Sequence, residues 1–138
     1  MSTLIRHTTQ LPATVVAPAA ARAALDAAVT SPIAERALET ARLLITELVT
    51  NSIRHAVMPH DPMIRLEIDT DNRLLRVEVH DAGREITDLL PTERPIGGGY
   101  GLRLVDQLAD RWGSDQGHLG TCVWFELSLS PASNDSRA

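Results

Sequence analysis

The chain has one cysteine, Cys122, in 138 residues. An intrachain disulfide and a multi-cysteine metal site are therefore excluded. Aromatic residues make up only 3%, so the core has to be built from Leu, Val, Ile and Ala. Thirteen Lys and Arg face eighteen Asp and Glu, a formal net charge of −5, and no basic run exists. The electrostatic footprint of a direct nucleic-acid binder is missing. No apolar run approaches the roughly 20 residues of a membrane span. Arg6, His7 and Gln10 stand where a signal peptide needs an uninterrupted apolar stretch. These absences point to a cytoplasmic protein that contacts neither membrane nor nucleic acid.

What is present suits one domain, expected over residues 1–130, with 131–138 a disordered polar tail. Residues 4–11 read as a short strand. Residues 18–29 are Ala-rich and read as a helix, broken by Thr30-Ser31-Pro32. Ser31 suits an N-cap and Pro32 a first helical position, so the next helix should run from Pro32 to Ala56. Ala34, Ala41, Ile45, Leu48, Ser52 and Ala56 form its small and apolar stripe. Two strands follow. Ile64, Leu66 and Ile68 alternate with polar residues, Asp71-Asn72 signals a turn, and Leu75, Val77 and Val79 alternate with Arg76, Glu78 and His80. Residues 82–99 contain Pro91, Pro95 and three consecutive glycines, a long loop of the kind that acts as a lid. A helix over 101–109, a strand over 111–116 and a turn over 117–120 come next. A final strand places Thr121, Val123, Phe125, Leu127 and Leu129 on one face, with Cys122 on the other.

Three segments carry candidate chemistry. Glu47 and Asn51 are four residues apart in the long helix and share a face on the shoulder of its apolar stripe. A carboxylate there can accept a proton or orient a hydroxyl, and a carboxamide oxygen is a hard ligand suited to Mg²⁺. The same pair is also common on solvated helix faces. Asp81 continues the apolar side of its strand, where a carboxylate needs a partner or a ligand. It can accept from an exocyclic amine such as that of adenine, and Gly83 lets a base lie against the backbone. A plain strand-ending Asp-x-Gly turn is the alternative. Gly97-Gly98-Gly99-Tyr100-Gly101-Leu102 opens a helix with free backbone amides, a form suited to phosphate, though a flexible linker reads the same way. It is neither a Walker A pattern nor a dinucleotide fingerprint. Arg54 and His55 either face phosphate or form a polar helix end. No metal-ligand spacing stands out among the five histidines.

In their order, these pieces resemble the GHKL ATPases, the superfamily of gyrase, heat-shock chaperone ATPases, mismatch-repair ATPases and histidine kinases. Glu47-Leu-Val-Thr-Asn51-Ser-Ile-Arg-His55-Ala is similar to the N box. Asp81-Ala-Gly83 resembles the first glycine box, Gly97 to Leu102 the second, and Gly120-Thr121-Cys-Val-Trp-Phe125 the final strand. Within the superfamily the wording is most similar to bacterial anti-sigma-factor serine kinases and their actinobacterial relatives. The resemblance implies Glu47 as general base and Asn51 as Mg²⁺ ligand. It implies an ATP site formed by Asn51, His55, Asp81, Gly83, Gly97, Gly99, Gly101, Leu102 and Thr121. One departure stands out: Arg84-Glu85 occupies the place where the first glycine box often carries another glycine.

The fold expected is an α/β two-layer sandwich, with helices on one face of a mixed, mostly antiparallel sheet. The function expected is ATP- and Mg²⁺-dependent phosphorylation of a serine or threonine in an anti-anti-sigma (STAS-type) partner, coupled to sequestration of a sigma factor. A homodimer is compatible with this reading. The alternative is a nonenzymatic, nucleotide-gated binding module on the same fold. A histidine-kinase catalytic fragment is disfavoured, because the chain has no room for a helical phosphoacceptor domain.

Overall fold

The structure, a computed structural model, describes residues 4–30, 35–55, 63–81, 102–117 and 120–129. The chain runs β1 (Ile5–Pro12), α1 (Ala17–Ala28), α2 (Glu35–His55), β2 (Met63–Thr70), β3 (Leu74–Asp81), a short helix α3 (102–108), β4 (Arg111–Gly117) and β5 (Gly120–Ser128). The strands form one sheet in the order β1-β2-β3-β5-β4, and every neighbouring pair is antiparallel. The expected two-layer sandwich is present. The parallel pairing that a mixed sheet admits is not found among the described strands.

Local chemistry explains the elements. Pro18 lies in the first turn of α1, where its missing N–H is not needed. Ala17, Ala21 and Leu25 then repeat every four residues and are fully buried. In α2 the buried stripe is Ala41, Leu44, Ile45, Leu48, Val49 and Ser52. The expected start at Ser31-Pro32 and end at Ala56 lie outside the described residues. A polar seam joins the two helices: Arg42 Nε donates to Asp26 Oδ1 at 2.8 Å, and Arg22 Nη1 donates to Thr46 Oγ1 at 2.9 Å. The β2–β3 turn closes on Asp71, whose Oδ1 accepts from the backbone N–H of Arg73 (2.7 Å) and Leu74 (2.9 Å). Gly120 opens β5 at φ 132°, a conformation that favours glycine.

Register gives the sheet two unlike faces. On one, Leu66, Val79 and Val123 share a rung, as do Ile68, Val77 and Phe125, and Thr70, Leu75 and Leu127. Helix α1 packs over β1 and β2, and α2 over β3 and β5. Phe125 is the largest fully buried side chain. The other face carries Asp69, Arg76 and Glu126 on one rung and Glu67, Glu78 and Trp124 on the next. None of the helices among the described residues is long and apolar enough to cross a membrane.

Candidate functional site

Helix α2 presents Glu47 and Asn51 on one face, both half-buried, each beside a buried residue of the stripe, Leu48 and Ser52. Both sit at the shoulder of the packed face, as the helical wheel predicts. Among the described residues, no hydrogen bond or ion pair engages either side chain. A half-buried carboxylate and carboxamide on one helix face can both serve a ligand.

The sheet beneath α2 supplies the second part. Asp81 ends β3 directly opposite Thr121 of β5, and on its other side opposite Ile64 of β2. This rung continues the helix-covered face, because Val79 and Val123 lie two residues away and point the same way. Asp81 and Thr121 are half-buried. Cross-strand partners have Cβ atoms roughly 4.5–5.5 Å apart. One acceptor carboxylate and one hydroxyl therefore stand side by side at the end of an apolar floor. Strands β3 and β5, which carry them, are the two that α2 covers. Four sequence-predicted side chains are thus gathered on one helix and the two strands under it.

Leu102 begins α3 and is half-buried, and Val105 on the same helix is fully buried. Trp112 Nε1 donates to Asp106 Oδ1 at 2.9 Å, tying α3 to β4. The helix is therefore tied to the edge strand of the sheet. His55 is the last residue of α2. Gly83, Gly97, Gly99 and Gly101, together with the expected lid over 82–99, lie outside the described residues.

One grouping escaped the sequence reading. Glu78, His80 and Cys122 converge on the face of the sheet away from the helices. The alternation along β3 already placed Glu78 and His80 on one side, and Cys122 was expected to face away from the apolar side. What the sequence did not contain was the register that makes His80 the partner of Cys122. No metal-ligand spacing stood out among the histidines in the sequence, because these three residues are brought together by strand pairing and not by spacing along the chain. The Cys122 thiol is pushed up to about 11, first by burial and then by the negative charges of Glu78 and Asp115. Burial pushes the Glu78 carboxyl up as well, yet hydrogen bonds from Arg76 and His80 prevail and hold it below the ordinary range.

The family model of the histidine kinase-like ATPase domain matches residues 11–127. No curated protein matches this chain significantly. Among solved structures, the RsbU and RsbW domains of Rv1364c from Mycobacterium tuberculosis superpose with a TM-score of 0.66 at 20% identity, covering 91% of this chain and 32% of that one. The blue-light activated histidine kinase of Erythrobacter litoralis EL346 gives a TM-score of 0.57 at 24% identity, covering 84% of this chain and 42% of that one. Its histidine kinase domain gives 0.57 at 22%, covering 89% and 64%. This chain therefore spans less than two thirds of each of those chains, and at these identities the likeness is one of fold. The family match covers most of the sequence, from β1 to β5, and by it this chain belongs to the histidine kinase-like ATPase domain family.

Proposed function

We propose that the chain binds ATP with Mg²⁺, transfers the terminal phosphoryl group to a serine or threonine of an anti-anti-sigma (STAS-type) partner, and sequesters a sigma factor. The observation that carries this reading is the placement of α2, with Glu47 and Asn51, over the strands that bear Asp81 and Thr121. The RsbW domain among the structural relatives supports the choice of partner class. Phosphoryl transfer asks mainly for positioning and charge neutralisation. The half-buried carboxamide of Asn51, without a partner among the described residues, fits a Mg²⁺ ligand, and bound Mg²⁺ would supply charge neutralisation at the phosphates. Glu47 orients the attacking hydroxyl and accepts its proton. Asp81 accepts from the exocyclic amine of adenine, Thr121 adds its hydroxyl, and the apolar floor of Val79 and Val123 lies behind them. By the resemblance to the family, Leu102 and the glycines before it, Gly97, Gly99 and Gly101, would serve the phosphates and Gly83 the base, with His55 also assigned to the ATP site.

A kinase assay with labelled ATP and the partner tests this. Glu47→Ala should lose about 10²–10⁴-fold in phosphorylation rate while ATP binding persists. Full activity in that variant removes Glu47 from the mechanism. ATP should also outcompete GTP, because guanine presents a carbonyl where adenine offers an amine, and two acceptors facing each other repel. Equal affinity for the two nucleotides contradicts the assignment of Asp81. A second reading, a nucleotide-gated binding module without transfer, uses the same ATP site, and the kinase assay separates the two. The second reading forecasts an inactive wild type whose capture of the partner still depends on ATP.

A further inference from the structure

The face of the sheet away from the helices is a lattice of charges. Arg6 Nε and Nη2 donate to the two carboxylate oxygens of Asp69 at 2.8 and 3.0 Å. Arg76 reaches Glu78 Oε2 and Glu126 Oε2, both at 2.8 Å, and stacks 4.1 Å from the centre of the Trp124 ring. Most groups in this lattice are answered by a partner of opposite sign. The exception lies at the end of β3 and β5. His80 Nε2 meets Glu78 Oε1 at 2.9 Å and Cys122 Sγ at 3.7 Å, and the three ligand atoms all lie within 4.8 Å of one another.

We propose that Glu78, His80 and Cys122 form a binding site for one zinc-class transition-metal ion. The donor set is one carboxylate oxygen, one imidazole nitrogen and one sulfur, the three ligand types that Zn²⁺ takes. Zinc bonds of about 2.0–2.3 Å in a tetrahedron separate ligand atoms by roughly 3.3–3.8 Å. The sulfur–nitrogen distance of 3.7 Å already falls there. The oxygen–nitrogen distance of 2.9 Å has to widen by a few tenths of an ångström as the hydrogen bond gives way to two metal bonds. A half-buried setting leaves the fourth position to water.

Rigidity and charge favour the site. Glu78 and His80 are alternate residues of β3, and Cys122 is the direct partner of His80 on β5, so two central strands hold all three. Glu78 divides its oxygens: Oε2 keeps Arg76, and Oε1 faces the cluster. Arg76 thereby orients the ligating carboxylate, as supporting groups do around bound metals. The Arg76 charge opposes a cation, but Glu126 also engages it. Arg65, the partner of His80 on β2, is engaged by Glu67 at 3.2 Å, and Asp115, the partner of Cys122 on β4, adds a further negative charge beside the position. The same negative charges draw a cation. On binding, the thiol proton leaves to solvent and the sulfur–metal bond replaces it. The site is back to back with the rung of Asp81 and Thr121, one residue along the same two strands, and stands whether or not that rung binds nucleotide.

Cobalt(II) tests this on the full chain, with any purification tag removed and metal stripped beforehand. Titration should give one equivalent of Co²⁺ bound, with a thiolate-to-cobalt charge-transfer band and tetrahedral-intensity visible bands. Stoichiometric Zn²⁺ should bleach both. Cys122→Ser should abolish the charge-transfer band. His80→Gln should weaken Co²⁺ binding by more than the roughly 10–100-fold that loss of a supporting group costs, while His7→Ala leaves it unchanged. Zn²⁺ should raise the melting temperature of wild type and not of His80→Gln. A wild type without a thiolate band overturns the proposal. So does a band of undiminished affinity in His80→Gln, which means a lone thiol is binding. If Cys122→Ser fails to fold, the wild-type spectrum and His80→Gln still decide.

Discussion

The two faces of the same sheet solve different problems with the same strands. Beneath the helices the strands present Ile68, Val77, Phe125 and their neighbours, nearly all fully buried. That face is held by removal of apolar area from water, about 1.5–3 kcal/mol for each large side chain. The candidate binding residues Asp81 and Thr121 stand at one end of this face, both half-buried. The opposite face is built from charge. Arg76 joins Glu78, Glu126 and the Trp124 ring in one cluster, and Asp69 is nearly buried, at 4% side-chain exposure, under an exposed Arg6. Partly exposed ion pairs contribute little each. Stability therefore resides on one face. The other specifies register and solubility at small energetic gain.

Cutting into the apolar face should give the largest effect. Phe125→Ala removes the largest fully buried side chain and should cost about 3–5 kcal/mol, read as a lower denaturant midpoint at unchanged slope. A loss near that of a surface residue would show that the two faces share the load. The second change lies across the sheet. A Cβ on Gly113 would lie 2.9 Å from three atoms of the Trp124 indole. Gly113→Ala should therefore destabilise by about 1–3 kcal/mol, and Trp124→Ala in the same chain should relieve most of that loss. Additive losses would mean that the indole tilts aside freely and the glycine is not needed for close approach.

The smallest effect concerns pH. Burial pushes the Glu78 carboxyl up, but Arg76 and His80 hold it below its ordinary value of 4.5. A carboxyl held low when folded stabilises the protein above that value. The contribution is lost as pH falls through the folded value, because the folded state then has to take up a proton it resists. In metal-free buffer, Glu78→Gln should lower stability at neutral pH by less than about 1 kcal/mol, since solvent screens a partly exposed pair. The gap to wild type should shrink below pH 4.5. A constant gap across that range would assign the loss to packing.

Most of the architecture was legible because local patterns carry it. Period-two alternation marked β2, β3 and β5, the Ala-rich run over 18–29 marked α1, and Asp71-Asn72 marked the turn between β2 and β3. The same alternation put Asp81 and Thr121 on the apolar face and Cys122 on the other. Spacing alone put Glu47 and Asn51 on one helix face. These are properties of three to eight neighbouring residues, and backbone geometry converts them directly into direction.

Tertiary structure decided what depends on partners far along the chain. That β3 pairs with β5, and β1 with β2, follows from how the sheet closes over α1 and α2. Only that pairing sets Asp81 against Thr121, 40 residues apart in sequence. It likewise brings Cys122 to His80, a contact that spans 42 residues. No local propensity encodes either meeting. Register comes from burying every apolar residue at once, and a one-residue slip would turn each side chain to the wrong face. The sequence by itself determined which residues face which way, and the packed sheet decided which of them meet.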